Sequence, residues 1–255
     1  MSDELVPAVA RAAAILDLVS EAKGASLTPS EIARELDLPK SSTGNICAAL
    51  ESAGLLVKRE NGYTLGRKLV ELGGRYLATV DPLREYYDLC RTLPTISNEA
   101  SRVAILDGVD VLYLAKHEGY QPIRLTANIG DRFPASCTAT GKILLSMLDP
   151  AQVIDRYRGV GALPTLTERS VATVSDLMKE LDEVRASGFA MDHEETTRGV
   201  TCFAVGVEGF RGDFTNVAVS ATVLTDRLDE DLREALLVDL RIIAKRLGNP
   251  LAPKG

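Results

Sequence analysis

The string Thr28-Pro29-Ser30-Glu31 constrains this chain most. Thr28 suits a helix cap. Pro29 suits the first helical position, where a missing N–H costs nothing. Glu31, three residues after the cap, reaches back to the cap's own N–H. A helix is therefore predicted from here to about Leu36, where Asp37-Leu38-Pro39 breaks it. A further helix starts near Ser41 and ends at Gly54, a residue suited to a left-handed C-terminal position. Upstream, residues 8–22 place Val9, Ala12, Ala13, Leu16 and Val19 at helical spacing, and Gly24 closes that helix. Two short helices joined by a turn of about four residues make a helix-turn-helix pattern.

A hairpin completes the pattern. Leu55-Leu56-Val57-Lys58 and Tyr63-Thr64-Leu65 flank Asn61-Gly62, a strong local hairpin signal. Three helices plus a hairpin form a winged helix. In such a module the third helix presents side chains to a major groove, and basic residues of the hairpin reach phosphates. The candidate DNA contacts are Lys40, Ser41, Ser42, Thr43 and Asn45 on the third helix and Lys58 and Arg59 on the wing. The plainer readings are that Ser41–Thr43 only cap a helix and that Lys58-Arg59 are solvated hairpin charges. A winged helix also serves protein–protein contact.

Charge distribution supports a local footprint on nucleic acid. The 255 residues carry a net charge of −7, which argues against nonspecific polyanion binding by the whole chain. Residues 39–75 hold six Lys/Arg against three Glu, a local net of +3. At roughly 150 residues per domain, the length predicts about two domains. Cys47, Cys90, Cys137 and Cys202 are scattered without a CxxC, which fits neither a disulfide framework nor a zinc knuckle. With no signal-peptide pattern and no long apolar run, a cytoplasmic protein without a membrane partner is expected.

Residues 66–80 are helical in period despite Gly73-Gly74, and Asp81-Pro82 breaks them. This reads as a linker helix. A helix over 83–93 opens the next domain. From residue 99 the period changes: 102–106 and 111–114 flank Asp107-Gly108 as a hairpin, and 122–127 reads as another strand. Helices are predicted at 140–148, after Asp149-Pro150, at 175–187 and at about 229–247. Strands are predicted at 189–191, 202–207 and 217–223. The fold class is α+β.

The chain resembles the IclR family of bacterial transcriptional regulators. Thr28-Pro29-Ser30-Glu31-Ile32-Ala33, Leu38-Pro39-Lys40-Ser41-Ser42-Thr43 and Gly62-Tyr63-Thr64-Leu65-Gly66 carry the resemblance in the first domain. Gly130-Asp131-Arg132, Cys137-Thr138-Ala139-Thr140-Gly141-Lys142 and Gly199-Val200-Thr201-Cys202 carry it in the second, together with Asp107-Gly108, Tyr113-Leu114 and Pro122-Ile123-Arg124-Leu125. The resemblance implies a winged helix-turn-helix over 1–66, a linker helix over 67–82 that helps pair protomers, and a GAF/PAS-like effector domain over 83–255. It implies a homodimer or dimer of dimers on pseudo-palindromic double-stranded operator DNA, controlling a catabolic operon. It also implies an effector pocket lined by Ala139, Thr140, Asp192, Cys202, Ser220 and Thr222. One feature departs from the family: an aromatic or His followed by Arg often comes after the Lys-Ser-Thr stretch, and here Gly44-Asn45 stands instead. That removes a potential guanine reader and makes Asn45 the best base-contact candidate.

The residues themselves favour a ligand site in the second domain. The small run Cys137–Gly141 leads into a helix start, where unpaired N–H groups favour an anion. Asp192, Cys202, Ser220 and Thr222 offer donors and acceptors from strand ends, and Pro122-Ile123 an apolar wall. The plainer reading of Cys137 and Cys202 is small buried hydrophobes. Nothing in the spacing of Cys137, His117 and His193 supports a thiol–base pair, and no nucleotide-binding loop or nucleophile elbow appears. Adjacent residues of Asp192-His193-Glu194-Glu195 point in different directions, so solvated charge is favoured over a metal cluster. No metal or cofactor is expected, and no enzyme. The reading is a ligand-responsive DNA-binding regulator, expected to repress, with a small organic acid, aromatic or related metabolite as effector. The alternative is a small-molecule-binding or catalytic protein whose winged helix mediates protein contact.

Overall fold

The computed structural model describes residues 6–22, 24–78, 82–120, 127–209 and 216–248. The chain divides into two compact units, Met1–Thr79 and Val80–Gly255.

In the first unit, α1 (Pro7–Glu21), α2 (Pro29–Glu35) and α3 (Lys40–Ser52) precede a hairpin of β1 (Leu56–Arg59) and β2 (Gly62–Leu65), then α4 (Lys68–Ala78). The capping box is present in full. Thr28 Oγ1 accepts from the Glu31 N–H at 3.2 Å, and Glu31 Oε2 accepts from the Thr28 N–H at 2.7 Å. Asp37 turns the chain in the left-handed region, at φ 51°, so α3 leaves at an angle to α2. The apolar faces meet in one core of Ile15, Val19, Ile32, Cys47, Leu50, Leu56 and Tyr63. Burying each large side chain contributes about 1.5–3 kcal/mol relative to exposure. The wing carries a contact that periodicity did not announce: Leu27 pairs with Tyr63 through N–H···O bonds of 3.1 and 2.8 Å, adding a third strand-like edge. Gly62, at φ +134°, passes so close that a Cβ there would lie 2.4 Å from the Leu27 carbonyl.

The second unit opens with α5 (Pro82–Thr92). Its sheet has six antiparallel strands in the order β5 (Arg132–Pro134), β4 (Asp110–His117), β3 (Ala100–Asp107), β8 (Val217–Leu224), β7 (Val200–Val207), β6 (Ala190–His193). Chain-distant strands β3 and β8 meet at its centre. β8 is buried from Val217 to Val223, so both faces of the sheet are covered. Ala104, Ala204 and Ala218 turn to one face, under α6 (Ala139–Ser146) and α8 (Val174–Ser187). Residues at alternate positions take the other face, where α9 (Glu230–Gly248) packs on β7 and β8 and against α5. Buried Asp239 of α9 accepts the N–H groups of Thr95 and Ile96, both at 2.9 Å, pinning the helix to the turn that precedes β3. α7 (Pro150–Arg156) follows Asp149 as the Asp-Pro start predicts. The short strand β5, with Phe133 flanked by Arg132 and Pro134, escaped the periodicity argument. The strand predicted over 122–127 falls, except for Ala127, outside the described residues.

Candidate functional site

The exposed face of α3 is small and neutral. Ser41, Asn45 and Ala48 are exposed, and a Cβ on Gly44 would meet nothing within 4 Å. Lys40 stands exposed at its first turn, and Lys58 and Arg59 are exposed at the end of β1. Among the described residues, none of these three cations is ion-paired. Ser42 is half-buried. Thr43 requires a correction to its assignment as a DNA contact: it is fully buried, and its hydroxyl donates to the Pro39 carbonyl at 3.1 Å. Thr43 lies four residues before Cys47 and seven before Leu50, on the helix's buried stripe, so it packs the helix instead of facing outward.

In the second unit, α6 begins beneath the sheet. Thr138 caps it, accepting from the Gly141 N–H at 3.0 Å. The N–H groups of Ala139 and Thr140 have no partner among the described residues. A Cβ on Gly141 would lie 2.2 Å from the Ala135 carbonyl oxygen, so only glycine lets the preceding loop lie against the first turn. Beside this helix start is a small cavity of about 50 Å³, walled by residues of the sheet and of α6.

Six of the residues singled out from the sequence line this cavity: Ala139, Thr140, Asp192, Cys202, Ser220 and Thr222. The register explains how they meet. Asp192 of β6 pairs with Cys202 of β7, which pairs with Thr222 of β8, so the three lie in one row across the sheet. Ser220 is two residues further along β8, on the same face. Ile123 falls outside the described residues.

The cavity also takes in Arg102, Tyr113, Phe133, Thr138, Thr196, Thr197 and Val200, which sequence reasoning missed. Arg102 sits inside the apolar run of β3, where alternation alone does not say which face is a cavity. It is 3% exposed, lies over the Tyr113 ring at 5.7 Å, and donates to the Ala127 carbonyl at 3.3 and 3.4 Å.

Asp192 is 1% exposed, in keeping with its place in the cavity, while Glu195 at 7% exposed corrects the expectation of solvated charge in this stretch. Asp192 is held by its own turn. Oδ1 accepts the N–H of Glu195 at 2.6 Å, and Oδ2 accepts the Thr196 hydroxyl at 2.5 Å. Burial nevertheless pushes its carboxyl above the usual range. Glu195 turns away to Lys142 of α6, with Nζ–Oε1 at 2.5 Å, and Glu180 takes the other side of Lys142 at 2.6 Å. Burial raises the Glu195 carboxyl to about 7 against the pull of Lys142. Among the described residues no group of His, Cys, Asp and Glu is placed to hold a metal ion.

The thiols are not set for nucleophilic chemistry. Cys137 donates to the Pro164 carbonyl at 3.0 Å, and Cys202 lies 3.3 Å from the Thr222 hydroxyl. Burial raises the Cys137 thiol and pushes the Cys202 thiol up to about 12, so both remain protonated at neutral pH. The arrangement suits binding of a small polar molecule.

Comparison with known proteins agrees with this geometry. The IclR helix-turn-helix domain matches residues 8–60, and the bacterial transcriptional regulator IclR C-terminal domain matches residues 75–249. The chain is 31% identical over 252 residues to the HTH-type transcriptional regulator XynR of Escherichia coli (strain K12), covering 96% of this chain and 99% of that one. It is 30% identical over 226 residues to the HTH-type transcriptional repressor AllR of Klebsiella pneumoniae, covering 88% and 82%. The crystal structure of an IclR transcriptional regulator from Alicyclobacillus acidocaldarius superposes with a TM-score of 0.83 at 23% identity, covering 95% of this chain and 98% of that chain. Among the described residues no helix is long and apolar enough to cross a membrane. A capped helix-turn-helix with a wing, followed by a six-stranded sheet with a polar cavity at the start of α6, places this chain in the IclR family of transcriptional regulators.

Proposed function

We propose that this chain is a cytoplasmic, ligand-responsive repressor of a catabolic operon, with domains over 1–66, 67–82 and 83–255. Lys40, Ser41, Ser42, Asn45, Lys58 and Arg59 contact pseudo-palindromic operator DNA, as a homodimer or dimer of dimers. Ala139, Thr140, Asp192, Cys202, Ser220 and Thr222, with Ile123 as an apolar wall, bind a small organic acid, aromatic or related metabolite. The observation that carries the ligand half is the cavity itself: residues from β6, β7, β8 and α6 converge on one space with polar groups turned inward. The name of AllR as a repressor supports the sign of regulation. A metabolite regulates only if it binds the DNA-competent and DNA-incompetent states with different affinity.

The test is fluorescence anisotropy of the full chain on DNA from upstream of its own gene and on a shuffled sequence, across a salt series. The proposal expects tighter binding to the upstream DNA, with affinity falling linearly in log salt. Equal and weak binding to both would favour a winged helix used for protein contact.

A further inference from the structure

A second recess of the second unit is far larger than the polar cavity, at about 580 Å³ against about 50 Å³. That size suits a small molecule. It is a groove walled by α8 and by β6, the strand at one edge of the sheet. Part of the wall is apolar. Val184 of α8, Phe189 and Met191 supply it, with Met191 41% exposed and the Phe189 ring braced 6.4 Å from that of Phe203. The rest is acidic, and its charges do not balance. Lys142 Nζ lies 2.5 Å from Glu195 Oε1 and 2.6 Å from Glu180 Oε2. Arg169 is turned to Glu194, at 3.7 Å. Glu183 also lines the groove and has no ion pair among the described residues. One ammonium therefore serves three carboxylates of the groove.

Glu195 shows where the missing charge belongs. It is 7% exposed, yet its Oε2 has no hydrogen-bond partner among the described residues. Burial raises its carboxyl to about 7, and the Asp192 and Glu180 carboxylates push the same way against Lys142. A buried carboxylate oxygen without a donor is costly, and a cation that brings N–H donors offsets the cost. The acidic side chains are not placed to hold a metal ion among the described residues. A bare ion would also leave Phe189 and Met191 uncovered. An organic ammonium meets both halves of the groove, with N–H donors for the carboxylates and an apolar body for the ring and the thioether.

We infer that the groove is a second ligand site, for a small primary ammonium with an apolar body, its nitrogen between Glu195 and Glu183 and its body on Phe189 and Met191. The site backs onto the polar cavity through one turn. Asp192 lines the cavity, Glu195 lines the groove, and the Glu195 N–H donates to Asp192 Oδ1 at 2.6 Å. The site stands on its own residues and does not depend on the reading of the cavity as the effector site.

The experiment uses the full chain and needs neither DNA nor effector. Phenethylamine, tyramine, hexylamine and isoamylamine are compared with 2-phenylethanol, tyrosol, 1-hexanol and isoamyl alcohol at matched ionic strength, by thermal shift and calorimetry. At least one amine is expected to raise the melting temperature where its alcohol does not. For that amine, Glu195→Gln should weaken binding on the order of tenfold to a hundredfold, the size of one lost charge-assisted hydrogen bond at a buried carboxylate. Glu183→Gln, at an exposed carboxylate, should weaken it about 1.5-fold to 5-fold, and Glu183→Asp should recover part of that loss. Because Glu183 is exposed, its variants fold whatever Glu195→Gln does to the packing around Lys142. The inference is overturned if no amine in the panel stabilises the parent, if alcohols match their amines, or if Glu195→Gln or, where that variant does not fold, Glu183→Gln binds amine like the parent.

Discussion

The two candidate binding regions are built in opposite ways. The exposed face of α3 is contiguous in sequence, small and neutral, with Ser41, Gly44, Asn45 and Ala48 presented outward and cations only at its margins. The cavity of the second unit is assembled from all the strands of its sheet and from α6, and its polar groups are buried: Arg102, Thr140, Asp192, Ser220 and Thr222 are all under 5% exposed. A surface that meets a large polyanion gains most of its affinity from exposed charges at the edge. A site that meets a small molecule must desolvate its polar groups in advance, at a cost the ligand then offsets. In packing, a Cβ at Gly44 on the first region would meet nothing within 4 Å, whereas one at Gly141 beside the second would lie 2.2 Å from the Ala135 carbonyl oxygen.

The largest expected effect comes from that contrast in packing. Gly141→Val drives a branched side chain into the Ala135 backbone, whose carbonyl oxygen would lie 2.2 Å from the new Cβ. Overpacking of this kind costs about 3 kcal/mol at the upper end of its usual range, a drop of roughly 6–12 °C in the melting temperature of the second unit. Calorimetry of the full chain reads it directly. A variant melting with the parent would show that the helix start is looser than its contacts imply.

DNA recognition comes next in size. Asn45→Ala should lose about 1–3 kcal/mol of discrimination at one base position if its amide reads an adenine edge. Lys40→Ala should weaken binding to all sequences alike and lower the salt slope by about one. Anisotropy on a set of single-base operator variants separates the two patterns. Uniform effects from both residues would make α3 a backbone-positioning element only.

Within the cavity, Thr140→Val and Ser220→Ala should each cost about 0.5–1.5 kcal/mol of effector affinity through a lost hydrogen bond. Affinity of the ligand-free protein for DNA should not change. Calorimetric titration with the effector measures the first effect and anisotropy the second. Parent-like titrations for both would place the ligand elsewhere. Smallest of all, Gly44→Ala should raise stability by about 0.5–1 kcal/mol, because the added methyl meets nothing and only removes backbone freedom from the unfolded chain. A destabilised Gly44→Ala would reveal a packing role for this face.

The same contrast explains what could be read ahead of the structure. Helix starts are local chemistry, and the Thr28–Glu31 box formed as its spacing required. The helix of Thr140 and the strands bearing Cys202 and Ser220 also followed from period. Thr43 was misplaced because a hydroxyl beside two serines reads as part of one polar patch, although its spacing from Cys47 and Leu50 puts it on the core stripe. Arg102 stayed hidden for a non-local reason. In β3 it looks like the solvent-facing member of an apolar run, and only the placement of β3 between β4 and β8 turns that position into a buried wall. Glu195 looked like surface charge because its partner, Lys142 of α6, lies on a helix some 50 residues away.

The central claim is that occupancy of the cavity changes affinity for DNA. The direct measurement is anisotropy of the full chain on its upstream DNA, with and without a saturating small-molecule effector. A repressor released by its effector should bind that DNA on the order of 5–150-fold more weakly when the ligand is present, and by reciprocity DNA should weaken the ligand by the same factor. Identical DNA affinity with the cavity empty and filled would contradict the account.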